Sequence, residues 1–335
     1  MSYKLAINGF GRIGRLVLRA LAESGRNDLE IVAINSPGSA EIMAHLLEHD
    51  TTHGKFRGHL QLDGETLDFG QGPVPLFHEK QPQNLPWGDL GIDIVLECSG
   101  HFNDRKTAAA HLQAGAKRVL ISAPATNADL TVVYGVNDRL LSADHQIVSN
   151  ASCTSNCLAP LVKVLNDSIG IESGFMTTVH AYTGDQNILD NSHSDLRRAR
   201  AGARSLVPTS TGAAKAIGLV LPEMKGKLNG NAIRVPTENV SLVDFSFIAS
   251  RNTSIDEIND SLSAAANGPM HGILSTNNLP LVSIDFNHDP HSSIADLTQT
   301  DVLEGKLSRV VAWYDNEWGF SSRMLDTAAA MAKFV

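Results

Sequence analysis

Over the first 150 residues, short apolar runs alternate with stretches of helical period. Tyr3–Ile7 reads as a strand, Arg12–Ser24 as a helix and Leu29–Asn35 as a second strand. Asp93–Cys98, Arg118–Ser122, Thr131–Tyr134 and Gln146–Ser149 are brief Val/Ile/Leu-rich runs bounded by Gly, Pro or Asn. Between two of them, Lys106–Gly115 reads as an Ala-rich helix that ends at its glycine. Near-continuous apolar strands separated by helices predict a parallel sheet covered on both faces, a doubly wound α/β architecture.

The pattern changes after about residue 150. Phe175–Tyr182, Ala232–Val235, Val240–Ala249 and Arg309–Trp313 are longer and alternate more, as antiparallel strands with one exposed face do. The segment Gly184–Pro208 is long, polar and Arg-rich with little periodicity, and a loop of that length in a compact domain is usually functional. Ser322–Phe334 reads as an Ala/Met-rich amphipathic helix. The expected domains are 1–150 and 151–316, with a C-terminal helix in 317–335 packing back onto the first.

Composition narrows the class. The 335 residues are 42% hydrophobic and 19% charged, which excludes disorder and coiled coil. Aromatics are only 5%, so the core must be built mostly from Ala, Val, Ile and Leu. A net charge of −9 leaves no basic footprint for nucleic acid or an anionic membrane. No apolar run reaches the ~18 residues of a membrane span, and the opening residues lack the pattern of a signal peptide. Cys98, Cys153 and Cys157 are an odd, sparse set, suited to a reducing, cytoplasmic setting rather than to a disulfide framework.

Gly9-Phe-Gly11-Arg-Ile-Gly14 follows the first strand and opens the first helix. Glycines at that spacing allow a tight turn, close approach to a pyrophosphate and close helix–strand packing. A Rossmann dinucleotide-binding domain is therefore expected, with the anion on the helix N-terminus. NAD specificity calls for a carboxylate at the end of the second strand. Ser36 stands there instead, so either NAD binds without it or NADP is admitted.

Cys153 lies between a strand and the apolar helix Leu158–Leu165. A helix N-terminus favours its thiolate, whereas Cys98 and Cys157 read as packing residues. No second Cys pair exists for zinc. A thiol nucleophile needs a base, and His180, where a strand runs into the polar loop, is the best candidate. His45, His49 and His53 recur every four residues, but the third lies past the helix end, so they read as a solvated face. His288 and His291 flank Asp289-Pro290 in a turn.

Four blocks carry a resemblance: Ile7–Gly14, Ala151-Ser-Cys153-Thr-Ser-Asn-Cys157-Leu-Ala-Pro160, Thr209-Ser-Thr-Gly-Ala-Ala-Lys215 and Trp313-Tyr-Asp-Asn-Glu-Trp318-Gly. From residue 3 to the last helix, the chain resembles the phosphorylating glyceraldehyde-3-phosphate dehydrogenase family. The resemblance implies an NAD(P)-dependent enzyme with an α+β catalytic domain, largely antiparallel, beside the Rossmann domain. It implies Cys153 as nucleophile and His180 as base. Thr183 and Arg234 would hold the substrate phosphate, and Ser152, Thr154, Arg198, Thr211 and Gly212 the attacking inorganic phosphate. Gly9, Gly11, Arg12, Ile13, Gly14, Lys80, Ser122 and Asn316 would contact the cofactor. The family is tetrameric, with the loop 184–208 reaching a neighbouring cofactor, and Asn191-Ser192 replaces its usual Leu-Pro pair. Ser36 and Ser192 together predict NADP acceptance. The rivals are an erythrose-4-phosphate dehydrogenase, a thiol hydrolase and a catalytically silent nucleotide-binding regulator. Thr183 and the run Thr211–Lys215 favour the phosphorylating enzyme; the glycine fingerprint argues against a hydrolase.

Overall fold

The computed structural model describes residues 2–335; Met1, the first residue of the expected dinucleotide-binding span, lies outside the described residues. The chain divides into two compact units, one reaching to Ser152 and taking in Ser321–Val335, the other Cys153–Phe320.

The first unit is built on a nine-stranded sheet. Tyr3–Asn8 lies at its centre, parallel to Leu29–Asn35 on one side and to Ile94–Glu97 on the other. Arg118–Ile121, Ile147–Ser149 and Leu130–Thr131 extend it in parallel beyond Ile94–Glu97. Pro73–Phe77 continues it in parallel past Leu29–Asn35, and an antiparallel ribbon of Thr66–Asp68 and Gln61–Asp63 closes that edge. The central strands are buried on both faces, as their unbroken apolar runs require. The strand order reverses at Tyr3–Asn8, so the crevice beyond its carboxyl end is where a parallel α/β sheet binds ligands. The helix Arg12–Ser24 starts there and buries Leu16, Val17, Leu18 and Leu21.

Two expectations for this unit fail locally. Lys106–Gly115 is not one helix but two short ones, Arg105–Ala108 and Ala110–Gln113, because Ala109 at ψ −16° breaks the hydrogen-bond ladder. Instead of Thr131–Tyr134, the strand is Leu130–Thr131, with one further hydrogen bond from the Val132 N–H to the Ser149 carbonyl. There the Val133 N–H is taken by the Asn137 side chain, which turns the chain away from the sheet.

The second unit carries an eight-stranded mixed sheet. Its long strands are Ile171–Ala181, Leu228–Val235, Ser241–Ala249 and Leu307–Tyr314. Antiparallel pairs predominate, but Ile171–Ala181 and Leu228–Val235 are parallel, in a register that sets His180 beside Arg234. Strict alternation of burial along Ser241–Ala249 marks one covered face. The helix Cys153–Ser168 packs against the sheet and against the helices Ala213–Val220 and Ile255–Ala266. The polar loop is shorter than expected at its end: Val207 and Pro208 belong to a strand, Val207–Ser210, paired with Leu228–Val235.

Candidate active site

In the first unit, each glycine of the fingerprint answers a different constraint. Gly9 has φ +94°, and a Cβ there would lie 2.4 Å from the Ser99 backbone, so only glycine makes the turn. A Cβ on Gly14 would meet the Gly9 carbonyl at 2.2 Å, fixing the helix against the strand. Gly11 is different: a Cβ there would meet nothing, leaving open space over the first turn. That turn has no side-chain cap and no acidic residue, which suits the N–H groups of Arg12 and Ile13 to an anion. The Arg12 side chain is turned to the Asp50 carboxylate.

Beyond the strand ends lies a cavity of about 330 Å³ lined by Asn8, Gly9, Asn35, Pro37, Glu79, Lys80, Ser99, His101 and Phe102. A buried polar network shapes its wall. The Trp87 indole N–H donates to Nδ1 of His111 at 3.0 Å, so Nε2–H of that ring donates to the Glu97 carboxylate at 2.9 Å. Glu97 also accepts from Asn8 Nδ2 and from the Ser99 N–H and hydroxyl. Asn35 donates in turn to Asn8 Oδ1. The residues that pin Ser99 against Gly9 are thus fully hydrogen-bonded, and the cradle is preformed. Ser36 follows directly; its N–H donates to the Phe77 carbonyl and its own carbonyl contacts the His78 ring. Ser122 donates its N–H to the Glu97 carbonyl. The glycine turn, the uncapped helix end and the cavity fit a dinucleotide.

In the second unit, Cys153 is the first residue of the helix Cys153–Ser168. The residue two before it, Ala151, has φ +56°, a rarely populated region for an L residue that turns the strand Ile147–Ser149 into the helix. Cys153 Sγ lies 3.4 Å from His180 Nε2. His180 is the penultimate residue of the strand Ile171–Ala181 and is 4% exposed. Burial, then the Arg234 charge, push its imidazole down to about 3, so it is neutral. The helix N-terminus was expected to favour the Cys153 thiolate, but burial outweighs it and pushes the thiol up, the Arg234 charge and donors from Thr154 offsetting only part. Cys98 and Cys157 are pushed further by burial, to about 12.

Arg234 makes its hydrogen bonds through Nη1, at 2.9 Å from His180 Nδ1, 3.0 Å from the Ala181 carbonyl and 3.5 Å from Thr183 Oγ1. Its Nε is buried without a hydrogen-bond partner. An orphaned N–H on a buried guanidinium is an anion site in waiting. Thr183 and Arg234 therefore stand together beside the Cys–His pair.

The residues expected to bind a second anion are arranged less simply. Arg198 Nη1 donates to Asp185 at 2.7 Å, Nε to Thr209 Oγ1 at 3.1 Å and Nη2 to the Ser210 carbonyl at 3.4 Å. Hydrogen bonds from Arg198 and His193 hold the Asp185 carboxyl below its usual range against the opposing effect of burial. Thr211 Oγ1 accepts the Ala213 N–H, and Gly212 caps the helix Ala213–Val220. Thr154 is buried, its hydroxyl 2.9 Å from the Tyr314 hydroxyl, so the expected side-chain ligand faces inward. Ser152 closes the first unit. Asn316 is buried, its Oδ1 accepting from Ser241, whose hydroxyl also accepts the Ala181 N–H. Ser192 is exposed in the loop.

Sequence reasoning missed Asp185 and Tyr314. Tyr314 stands edge-on to the His180 ring, with centroids 5.9 Å apart, and its hydroxyl links Thr154 to Thr178. Its only signal was membership of the Trp313–Trp318 block. The His45 and His49 rings are 4.9 Å apart, but the helix ends at Glu48 and His53 lies in a turn. Among the described residues no group of three or more His, Cys, Asp or Glu could hold a metal ion.

Residues 152–316 match the family described as "Glyceraldehyde 3-phosphate dehydrogenase, C-terminal domain", and residues 3–105 its "NAD binding domain". The chain is 62% identical over 333 residues to a glyceraldehyde-3-phosphate dehydrogenase of Xanthobacter flavus, covering 99% of each. It is 57% identical over 335 residues to that of Cereibacter sphaeroides, covering 100% of each. Against that of Geobacillus stearothermophilus it is 51% identical over 333 residues and 99% of each chain.

Proposed function

The chain belongs to the glyceraldehyde-3-phosphate dehydrogenase family of oxidoreductases, and from that premise we propose that it converts glyceraldehyde 3-phosphate and inorganic phosphate to 1,3-bisphosphoglycerate through a cysteine thioester. Its first unit contains the family's NAD(P)-binding domain. The observation that carries the reading is the 3.4 Å contact of Cys153 with a neutral His180, beside an arginine with an unsatisfied N–H.

The residues account for each step. Thr183 and Arg234 hold the substrate phosphate, which sets the aldehyde carbon at Cys153. Sulfur attacks that carbon as the thiol proton passes through His180 Nε2 to the aldehyde oxygen, giving a neutral hemithioacetal and returning the ring to its neutral form. Bound dinucleotide supplies the acceptor for the hydride that then leaves this carbon. A neutral His180 takes the hydroxyl proton in the same step, and a thioester remains on Cys153. Inorganic phosphate, held by Arg198, Thr211, Gly212 and the N–H groups near Ser152 and Thr154, adds to the thioester; the thiolate leaves, takes back the proton that His180 Nε2 holds, and the acyl phosphate departs.

For the cofactor, Gly9, Gly11, Arg12, Ile13 and Gly14 would receive the pyrophosphate, Ser36 and Lys80 the adenosine side, and Ser122 and Asn316 the nicotinamide side. NADP is accepted as well as NAD, because Ser36 carries no charge to repel a 2′-phosphate. The enzyme is cytoplasmic and a homotetramer in which the loop bearing Ser192 meets a neighbour. Ile188, Leu189 and Leu196 in that loop are 81%, 76% and 83% exposed, and burial in an assembly would remove that cost. No helix among the described residues is long and apolar enough to cross a membrane.

Steady-state turnover tests the reading. With glyceraldehyde 3-phosphate the rate should rise with inorganic phosphate and saturate, and Cys153→Ser should abolish it while dinucleotide still binds. A phosphate-independent reaction that is faster on erythrose 4-phosphate would transfer the assignment to that sister activity.

A further inference from the structure

We propose that Arg234 sets the tautomer of His180, so that the substrate's own phosphate group arms the catalytic base. This rests on the reading above that Thr183 and Arg234 receive that phosphate.

Two contacts make opposite demands on one atom. His180 Nδ1 lies 2.7 Å from the Ala181 carbonyl and 2.9 Å from Arg234 Nη1. A carbonyl only accepts, so the first contact needs a proton on Nδ1. A guanidinium only donates, so the second needs a lone pair there. One nitrogen of a neutral ring cannot satisfy both. Arg234 Nη1 also lies 3.0 Å from the same carbonyl, so it competes with Nδ1–H for that acceptor.

The choice decides what faces the sulfur. With Nδ1 accepting from Arg234, the proton sits on Nε2, and the ring offers Cys153 a donor where a base is needed. With Nδ1–H donating to Ala181, Nε2 carries the lone pair and can take the thiol proton. The ring stays neutral in both forms; one proton leaves Nε2 and one arrives at Nδ1 through water.

The guanidinium is built to move between these states. All its hydrogen bonds run through Nη1, the one to Thr183 is at the outer limit of length, and the buried Nε has none. A phosphate dianion engaging Nε and Thr183 offers charge-assisted bonds stronger than a neutral imidazole does. It draws Nη1 off Nδ1, frees the Ala181 carbonyl for Nδ1–H, and leaves Nε2 as the acceptor. His180 and Arg234 are register partners on parallel strands, so the backbone fixes this pairing.

The test compares glyceraldehyde 3-phosphate with unphosphorylated glyceraldehyde at saturating NAD and without inorganic phosphate, using the second-order rate constant of the single-turnover NADH burst for the wild type and for His180→Asn. Loss of general-base catalysis should cost on the order of 10²–10⁴-fold on the phosphorylated aldehyde but less than about tenfold on glyceraldehyde. Adding phosphite with glyceraldehyde should accelerate the wild type and leave His180→Asn unmoved. In an Arg234→Ala background, where no donor reaches Nδ1, His180→Asn should cost the full factor on glyceraldehyde without phosphite. Equal losses on both aldehydes, or no phosphite effect on the wild type, would overturn the proposal. A wild type that does not oxidise glyceraldehyde 3-phosphate at all would instead overturn the functional reading beneath it.

Discussion

Cys153 Sγ and His180 Nε2, 27 residues apart in the chain, lie 3.4 Å from each other, and burial pushes the thiol up and the imidazole down. The pair is therefore neutral in the free chain, so the proposed reaction would have to activate the thiol rather than draw on a stored ion pair. Cys98 and Cys157 lie higher still, at about 12. One equivalent of iodoacetamide should accordingly label Cys153 first, at a rate that keeps rising above pH 9 as the thiolate forms. Peptide mass spectrometry that finds Cys98 labelled in preference would show that the wrong thiol has been assigned.

His180 also links stability to acid. Its folded value of about 3 lies below the 6.5 of an unperturbed imidazole, so the unfolded chain takes up the proton first. Stability should be insensitive to this group above pH 6.5 and decline as pH falls toward 3. One residue of this kind removes about 1.5 kcal/mol between pH 6.5 and 5. Urea midpoints for the wild type and His180→Asn across that range provide the measurement. Parallel pH dependences would mean that His180 is not held neutral.

Local signals and long-range ones were unequally legible. Arg12–Ser24 and Leu29–Asn35 form where the pattern puts them, because the first is amphipathic and the second is an apolar run whose last three residues are all buried. The helix Ile255–Ala266 went unseen, although Ser254 caps it by accepting the Glu257 N–H, a spacing readable as Ser-x-x-Glu. Cys153 could be read from its strand-to-helix context. His180 could be only a candidate, since its approach to Cys153 depends on where the strand Ile171–Ala181 packs against the helix. Its pairing with Arg234 depends on a parallel register over 54 residues that no periodicity encodes. Asp185 and Arg198 meet inside a loop without regular structure, closed by scattered backbone hydrogen bonds such as Asn191 N–H to the Ala199 carbonyl, which carry no periodic signal.

Asp185 should tune the affinity for inorganic phosphate. Its carboxylate is 2.7 Å from Arg198 Nη1, a charge that any bound anion must share the guanidinium with. Asp185→Asn keeps an acceptor in place and removes the charge. The pair is partly exposed, 20% and 51%, so the effect is modest, worth up to about 1 kcal/mol. The KM for phosphate should fall about two- to fivefold while that for glyceraldehyde 3-phosphate stays put. A raised phosphate KM would show that Asp185 serves to hold Arg198 in position and that its charge does not compete.

On the proposed reading, Ser36 should govern cofactor choice. A carboxylate at the end of the second strand binds the ribose diol and repels a 2′-phosphate; a serine offers a hydroxyl and no charge. The surroundings lean the same way. Lys80 lines the adjoining cavity. The Glu79 carboxylate in that lining is turned back to the Gln81 N–H and the Asn84 side chain. The His78 ring, bonded to Glu65 and to the Ser36 carbonyl, is held above its usual value chiefly by that Glu65 bond. Like-charge contact at such a site costs several kcal/mol, enough to decide between two cofactors that differ by one phosphate. The wild type should therefore use NADP, and Ser36→Asp should lower kcat/KM for NADP by more than about tenfold while sparing NAD. Steady-state kinetics with both cofactors measures this. Negligible use of NADP by the wild type, or a ratio that Ser36→Asp leaves unchanged, would mean that specificity resides in groups other than Ser36.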